Sequence, residues 1–244
     1  MISVITLTTR PEGLKIVQDC LQKQTFKDFE WIVSSPQHVE IKGFKIDQLL
    51  SDPPKNEKDV WTYNKALNKA IKQATGDFIV FYQDNIWIPS DALEKLVFWN
   101  KTKGNDWCIT GVGDIYMQVD KWGKPLMKVW QDPRKKDYKE AYEVNPEDWE
   151  MNFAFCPKKL LLEIGGADEK LDEYFGMDNI SICERLDQLG YRFWIDQSLE
   201  VRGISHERNS EWDKKHAMHG GYEKIKQEWI ERKIWPRLPY LNQK

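Results

Sequence analysis

The chain has 244 residues, 41% of them hydrophobic, and a formal net charge of -3. This length and apolar content allow a sizeable core, in one large α/β domain or two small ones, and we expect one continuous sheet. The near balance of charge does not favour a nucleic-acid or membrane partner held mainly by electrostatics. No run approaches the roughly 18 to 20 apolar residues of a membrane span, and no secretory leader precedes the first predicted strand.

The four cysteines are far apart in the sequence and have no metal-ligand spacing. Each lies in an apolar or helical context, so we expect reduced thiols in the core. With no leader and no membrane span, this predicts a cytoplasmic protein.

The first half of the chain alternates predicted strands and helices, which is typical of an α/β fold. The first strand, helix and second strand form a βαβ unit, whose crossover is almost always right-handed. The predicted elements of this half are strands at residues 2–7, 29–33, 43–46 (weaker), 78–82 and 107–110, and helices at residues 11–23, 58–74 and 90–101.

The strand at residues 78–82 has the sequence FIVFY and ends abruptly in Gln83, Asp84 and Asn85. Its unbroken apolar run predicts a strand that is buried on both faces, as in a parallel sheet. Ligands of such sheets bind beyond the carboxyl ends of the strands, where oxygen-bearing side chains can hold a hard cation or a phosphate. Turn chemistry alone explains Gln-Asp-Asn equally well.

The second half of the chain has a different pattern of predicted elements. Residues 114–130 predict a hairpin that turns at WGKP, because alternating apolar residues flank this turn cluster. Residues 131–149 are dense in charge and predict a mobile loop over the site, with a solvated charge run favoured over acceptor binding and with Trp149 at the pocket rim. Further helices are predicted at residues 157–164, 178–189 and 211–232, and strands at residues 192–195 and 199–204.

Several segments resemble a known family. Residues 2–33, the helix with Asn64 before ATGD at residues 74–77, and the QDN end of the strand at residues 83–85 resemble the nucleotide-sugar half of the family 2 glycosyltransferases. Residues 152–195, with GGADE and the pattern DN-x5-RL-x3-G, resemble the acceptor half of that family. The resemblance covers most of residues 1–206 in the right order.

The resemblance implies an α/β protein of GT-A type, with a Rossmann-like mixed sheet that is mostly parallel and is flanked by helices. It implies a nucleotide-sugar half at residues 1–110, and an acceptor-binding and catalytic half of the same domain at residues 111–206. A C-terminal helical tail is predicted for residues 207–244.

For the donor, the resemblance implies that the loop after the first strand lies beside the nucleotide base and ribose, and that Asn64 faces the donor. The family usually has acidic residues after its second strand, whereas this chain has Ser34 and Ser35. The base therefore stays open, although a UDP-sugar is the expected donor. The implied nucleotide-sugar contacts are Thr8, Thr9, Arg10, Ser35, Asn64, Gln83 and Asp84.

The resemblance also implies a divalent metal, Mn²⁺ or Mg²⁺, bound by Asp84, Asn85 and His206. The metal motif of the family is Asp-x-Asp, and Asp84 is the only carboxylate at this point of the chain. One carboxylate can suffice, since the diphosphate and water supply other ligands, but metal binding should be weaker. A neutral imidazole suits Mn²⁺, yet a lone histidine is equally well a hydrogen-bonded structural group.

Asp178 is the predicted general base, because it matches the position where the family has its acidic pair. A carboxylate at a helix start can accept the proton of an acceptor hydroxyl as the glycosidic bond forms. Aspartate is also a favoured N-cap residue, and both roles are compatible. Here the chain has Asp178-Asn179 where the family commonly has Glu-Asp.

The expected function is therefore transfer of a sugar, with inversion, from a nucleotide diphosphate sugar to a hydroxyl acceptor. The acceptor is a glycan, a protein side chain or a modified nucleic-acid base, with the glycan preferred. A sugar-1-phosphate nucleotidylyltransferase is disfavoured, because TLTTRPEG is not a glycine-rich phosphate loop. A catalytically degenerate module that binds nucleotide sugars or glycans is the stronger alternative, because amides and hydroxyls replace several family carboxylates.

Overall fold

The fold is described from a computed structural model, for residues 1–51, 62–104, 106–117, 120, 124–137, 140–173, 178–205 and 221–241. The strands are Ile2–Leu7 (β1), Phe29–Ser35 (β2), Gln48–Ser51 (β3), Phe78–Tyr82 (β4), Ile86–Trp87 (β5), Trp107–Tyr116 (β6), Lys128–Trp130 (β7), Ala141–Val144 (β8), Phe153–Pro157 (β9) and Arg192–Ile204 (β10). The helices are Leu14–Gln22 (α1), Tyr63–Gln73 (α2), Ala92–Lys103 (α3), Lys158–Glu163 (α4), Asp178–Gln188 (α5) and Gly221–Glu231 (α6). Short 3-10 turns lie at Pro11–Gly13, Pro146–Asp148 and Glu169–Glu173.

The strands form one continuous mixed sheet with the order β3-β2-β1-β4-β9-β6-β10-β5, while β7 pairs with β6 and β8 pairs with β10. Strands β1 to β4 form a parallel block, and β6 and β10 are also parallel. The strand β9 lies between these two units and is antiparallel to both. The expected mixed α/β sheet is thus confirmed. Its parallel block brings the carboxyl ends of β1, β2 and β4 to one edge.

The unbroken apolar run of β4 reflects burial on both faces of the sheet. Val80 and Tyr82 pack with α1 and α3 on one face, whereas Ile79 and Phe81 pack with α2, α4 and α5 on the other. All four side chains are at most 3% exposed. Alternate residues therefore serve two separate cores, and each core requires apolar side chains.

Two predictions from the sequence are wrong. Residues 43–46 are not a strand, and the edge strand of this region is β3, at Gln48–Ser51. Gly43 has a φ of +83°, which breaks an extended backbone. Phe44 instead packs against the Trp31 ring, with 5.9 Å between the ring centroids. Trp149 is not at a pocket rim, because it is fully buried and contacts Phe81 and Phe193.

The charged stretch at residues 131–149 also contains more structure than a solvated loop. It includes the strand β8, which pairs with β10, and the turn Pro146–Asp148, which packs against α5. The hairpin predicted for residues 114–130 is confirmed by the antiparallel pairing of β6 and β7, whereas residues 121–123 of its turn lie outside the described residues. The four cysteines are free and buried, as expected.

The tail contains the helix α6, while residues 207–220 and 242–244 of the predicted tail lie outside the described part of the chain. The tail is held by Asp168, which accepts hydrogen bonds from Trp229 Nε1 (2.7 Å) and from the Tyr240 hydroxyl (3.0 Å). A Cβ atom at Gly165 would lie 1.6 Å from the carbonyl oxygen of Leu238, so the GGADE turn needs a glycine there. Within the described ranges, no helix is both long and apolar enough to cross a membrane.

Candidate active site

The predicted site begins where parallel strands end together. The strands β1, β2 and β4 point their carboxyl ends to one edge of the sheet, where Thr8 follows β1 and Asp84 follows β4. The Thr8 hydroxyl donates a hydrogen bond to Asp84 Oδ2 at 2.6 Å. The tertiary structure therefore joins two motifs that are 76 residues apart in the sequence.

Asp84 is buried, with 4% exposure, and both of its carboxylate oxygens have partners. Arg10 Nη2 lies 2.5 Å from Asp84 Oδ1 and forms an ion pair with it. The turn that carries Arg10 approaches closely, since a Cβ atom at Gly13 would lie 2.8 Å from the Asp84 carbonyl oxygen. The side chain of Arg10 is 31% exposed, so its guanidinium can face a ligand at this edge.

The donor chemistry of Asp84 and Asn85 fits a hard divalent cation in part. A carboxylate and an amide supply oxygen ligands, and Mg²⁺ or Mn²⁺ takes the rest from phosphates and water. Among the described residues, no group of three or more His, Cys, Asp or Glu side chains could hold a metal. Arg10 supplies positive charge beside Asp84. A cation would therefore have to displace Arg10 from Asp84.

The third predicted metal ligand, His206, lies outside the described residues. The chain before it is placed beside Asn85, because the Ile204 amide donates to the Asn85 carbonyl oxygen at 2.7 Å. Asn85 Nδ2 in turn donates to the Ile204 carbonyl oxygen at 3.2 Å. The ligand set of Asp84, Asn85 and His206 therefore stays a prediction.

A second group of carboxylates lies at the start of α2 and α5. Asp172 accepts hydrogen bonds from the Asn64 amide (2.6 Å), from Asn64 Nδ2 (3.0 Å) and from the Lys65 amide (3.1 Å). Asn64 is thus tied to a carboxylate of the later half of the chain. Asp172 caps the N-terminus of α2, where the first amides of a helix lack intrahelical partners.

Asp178 is the first residue of α5 and is half-buried. Burial raises the pKa of its carboxyl group, backbone amides of Asp178 and Asn179 lower it, and Asp172 raises it, so that the pKa is above its usual value. Burial also raises the pKa of Tyr63, and the charges of Asp178 and Asp84 raise it further. Tyr63 therefore lies within the electrostatic reach of both carboxylates.

A cavity of about 310 Å³ adjoins the Gln83-Asp84-Asn85 turn. Gln83 and Asn85 line it from the β4 side, while Glu150 and Asn152 line it from the segment before β9. Ser205, which directly follows β10, also lines it. Gln83 and Asn85 thus line this cavity, while Asp84 between them pairs with Arg10.

Comparisons with known proteins bear on the fold that carries these residues. Residues 55–161 match the sequence profile of a family described as Glycosyl transferase family 2. Among solved structures, the chain is similar to one described as the crystal structure of GalNAc-T7 with UDP, GalNAc and Mn²⁺, with a TM-score of 0.60 and 15% identity.

This chain has the GT-A glycosyltransferase fold. The resemblance to family 2 is confirmed over the matched residues. The similarity covers 84% of this chain but only 44% of the GalNAc-T7 chain, so this chain spans less than half the length of that protein. No curated protein matches the chain.

On this GT-A fold, the remaining predicted nucleotide-sugar contacts are placed as follows. Ser35 ends β2 and is buried, and its hydroxyl accepts a hydrogen bond from the Gln37 amide at 3.1 Å. Thr9 is exposed in the loop after β1. Gln83 is fixed through its backbone amide, which donates to the Asn152 carbonyl oxygen at 2.9 Å. Together with Thr8 and Arg10, they lie in the loops that follow β1, β2 and β4.

The sequence reasoning missed a charged network beside the cavity. Asp132 is 1% exposed and binds Arg134 through two hydrogen bonds, Nε to Oδ1 (2.9 Å) and Nη2 to Oδ2 (2.6 Å). Arg134 also forms an ion pair with Glu150 at 3.2 Å. The sequence Asp-Pro-Arg at residues 132–134 could have indicated a turn that is closed by its own ion pair. The high density of charged residues in this stretch instead led to the prediction of a solvated loop.

Arg10 should compete with a cation for Asp84. We expect Arg10→Ala to raise the affinity for Mn²⁺ in the absence of nucleotide, because the mutation removes the resident positive charge. Affinity for a nucleoside diphosphate should fall about tenfold or more, since a hydrogen bond to a charged group contributes about 1.5–3 kcal/mol. Calorimetry with Mn²⁺ alone and with UDP measures both effects, and Lys42→Ala, at an exposed lysine, is the control. Unchanged values in the Arg10 variant would contradict this role.

Proposed function

We propose that the chain transfers a sugar, with inversion, from a nucleotide diphosphate sugar to a hydroxyl acceptor, and that a UDP-sugar is the donor. The observation that carries the proposal is the convergence of Thr8, Arg10 and Asp84 at the carboxyl ends of β1 and β4. This is the edge at which sheets of this kind bind ligands. The family 2 match of residues 55–161 and the GT-A fold support the reaction class.

On the donor side, Arg10 would bind the diphosphate and Thr8 would orient Asp84 through the hydrogen bond described above. When bound, a divalent metal supplies Lewis-acid stabilisation of the leaving diphosphate, and Asp84, Asn85 and His206 are its proposed ligands. Positive charge at this point favours departure of the nucleoside diphosphate, because negative charge develops on the phosphate oxygen in the transition state. We assign this donor role to residues 1–110.

On the acceptor side, Asp178 would accept the proton of the attacking hydroxyl. The acceptor oxygen forms a bond to the anomeric carbon while the bond from that carbon to the phosphate oxygen breaks, and the proton moves to the Asp178 carboxylate. The raised pKa of Asp178 makes it a better proton acceptor than an exposed aspartate. Residues 111–206 would bind the acceptor, with a glycan as the preferred class.

A binding module remains the second candidate, and one observation favours it. Asp84 is neutralised by Arg10, its neighbours Gln83 and Asn85 add no carboxylate, and Asp178 is followed by Asn179. Such a module would bind a nucleotide sugar but would leave its glycosidic bond intact.

Incubation with Mn²⁺ and a panel of nucleotide sugars separates the two candidates. We expect slow release of the nucleoside diphosphate from one donor, because water can replace the acceptor. In the presence of Mn²⁺, Asp84→Asn should weaken nucleotide binding about tenfold or more, since it removes the carboxylate ligand of the proposed metal. The control is Asp91→Asn, at a carboxylate that is 46% exposed. Binding of a donor without any release, in the parent protein, would favour the module.

A further inference from the structure

Glu150 presents a carboxylate to the cavity beside the Gln83-Asp84-Asn85 turn, and the proposed reaction does not use it. The cavity is lined by Glu150, Gln83, Asn152 and Trp130, among others. The side chain of Glu150 is 45% exposed. It is therefore a charged group that a ligand in the cavity can reach.

The position of this carboxylate is fixed from two sides. Asn152 Nδ2 donates to Glu150 Oε2 at 2.9 Å, and Arg134 Nη2 lies 3.2 Å from the same oxygen. The Thr110 hydroxyl lies within hydrogen-bond distance of the Glu150 carbonyl oxygen, at 3.0 Å. No partner of Glu150 Oε1 is found among the described residues, so this oxygen is available to a ligand hydroxyl.

Arg134 is itself held by groups outside the cavity. Its guanidinium donates through Nε and Nη2 to Asp132 and through Nη1 to the Asp148 carbonyl oxygen at 2.6 Å. Asp132 is fixed in turn by the amide of Gly113, which donates to it at 2.9 Å. Arg134 also lines the cavity, but its Nε and Nη2 face Asp132 and Glu150, and in this position it orients Glu150.

The charges of this network decide the class of ligand. Asp132, Arg134 and Glu150 sum to one negative charge, so an acceptor that carries a carboxylate or phosphate is repelled. Burial raises the pKa of Glu150. The charge of Arg134 offsets this only in part, so the pKa stays above its usual value. A hydroxyl that donates to this carboxylate forms a charge-assisted hydrogen bond, which is stronger than one between neutral groups.

The wall of the cavity adds an apolar face. Trp130 lines the cavity and is 45% exposed. Its ring offers a flat apolar surface next to hydrogen-bonding groups, which is the combination that a ring with hydroxyl groups requires. The cavity volume of about 310 Å³ lies at the lower end of small-molecule pockets. These features fit one uncharged sugar ring.

We propose that this cavity is the acceptor subsite and that Glu150 binds a hydroxyl of an uncharged pyranose acceptor, with Trp130 against the sugar ring. This inference rests on the proposed function, because it names the acceptor of that reaction. It assigns to Glu150 the binding of the acceptor, and leaves the removal of the proton to Asp178. Arg134 is a positioning residue that acts through Glu150.

The test uses p-nitrophenyl glycosides of neutral hexoses as acceptors, and the whole chain. Binding without donor is measured by saturation-transfer NMR, and donor hydrolysis is followed separately. We expect Glu150→Gln to weaken binding of the best glycoside at least tenfold. Glu147→Gln is the matched control, because Glu147 is exposed and only three residues away. The p-nitrophenyl glucuronide should bind at least tenfold more weakly than the neutral glycoside.

The possible outcomes distinguish a failure of the proposed acceptor subsite from a failure of the proposed reaction. Equal glycoside binding by the parent and Glu150→Gln, or no binding by the parent, would overturn the subsite. Equal binding of the glucuronide would overturn the assigned acceptor class. Absence of donor hydrolysis and transfer in the parent would instead overturn the proposed function. If Glu150→Gln unfolds, Glu150→Asp keeps the charge but withdraws it from the cavity, and weaker glycoside binding by that variant is then the expected result.

Discussion

Asp178→Asn should reduce sugar transfer by roughly a hundredfold or more, since loss of a general base costs about 10² to 10⁴ in rate. Asparagine has nearly the same size as aspartate and is about as good an N-cap. The start of α5 should therefore keep its structure, and the affinity for UDP should not change. Transfer is measured with the donor found by hydrolysis and with a saturating acceptor, and the thermal midpoint is measured in parallel.

The pH dependence gives a second readout of the same residue. Burial places the pKa of Asp178 above its usual value, and the base must be ionised to accept a proton. Transfer should therefore fall as the pH decreases through this raised pKa, at a higher pH than the value of about 3.9 for an exposed aspartate. Burial raises the pKa of the neighbouring Asp172 as well, and the charge of Asp172 is one cause of the raised pKa of Asp178. The pH profile of the residual activity of Asp178→Asn should lack this fall at low pH.

The control is Asp187→Asn, because Asp187 is an exposed aspartate on the same helix. It should transfer sugar at the parent rate. Parent-like transfer by Asp178→Asn would show that Asp178 only caps the helix, and the assignment of the base would be wrong. Asp168 is not a substitute, since it is 1% exposed and is occupied by Trp229 and Tyr240 of the tail.

Asp132→Ala should destabilise the protein by about 3–5 kcal/mol, the usual cost of removing one partner from a buried ion pair. The Asp132 side chain has no exposed surface, and that of Arg134 is 14% exposed. The mutation would remove the carboxylate that accepts two hydrogen bonds from the guanidinium and would leave the Gly113 amide without its acceptor. Urea denaturation measures the free energy of unfolding, and Asp137→Ala, at an exposed site of the same stretch, should change it by less than about 0.5 kcal/mol.

The same ion pair predicts how stability depends on pH. Burial by itself raises the pKa of Asp132, but hydrogen bonds from Arg134 and from the Gly113 amide outweigh it, so that the pKa is lowered. The stabilisation is therefore complete above the ordinary pKa of about 3.9 and is lost as the pH falls through the lower folded value. Asp132→Ala should be less sensitive to acid in this range. Equal stability of Asp132→Ala and the parent would show that the network does not stabilise the fold.

The strand pattern was predictable because it depends on local burial. Apolar runs such as residues 2–7 and 78–82 belong to strands with helices on both faces, and the structure has strands at both positions. Parallel strands share one carboxyl edge, so the placement of Asp84 near the loop after β1 also followed from the topology. The exception is the edge strand β3, where the positive φ of Gly43 shifted the extended segment to residues 48–51.

The partners of the site residues were decided only by the tertiary structure. Ion pairs and hydrogen bonds depend on distances between groups that are remote in sequence, as for Arg10 with Asp84 or Asn64 with Asp172. The stretch at residues 131–149 appeared solvated because its composition is charged, yet charges can be buried when each has a partner. The amino-acid sequence by itself thus determined the α/β fold and the sheet edge at which Thr8 and Asp84 meet. Only the packing of β6, β9 and the 132–134 turn placed Glu150 beside the cavity, because that contact joins segments that no local pattern relates.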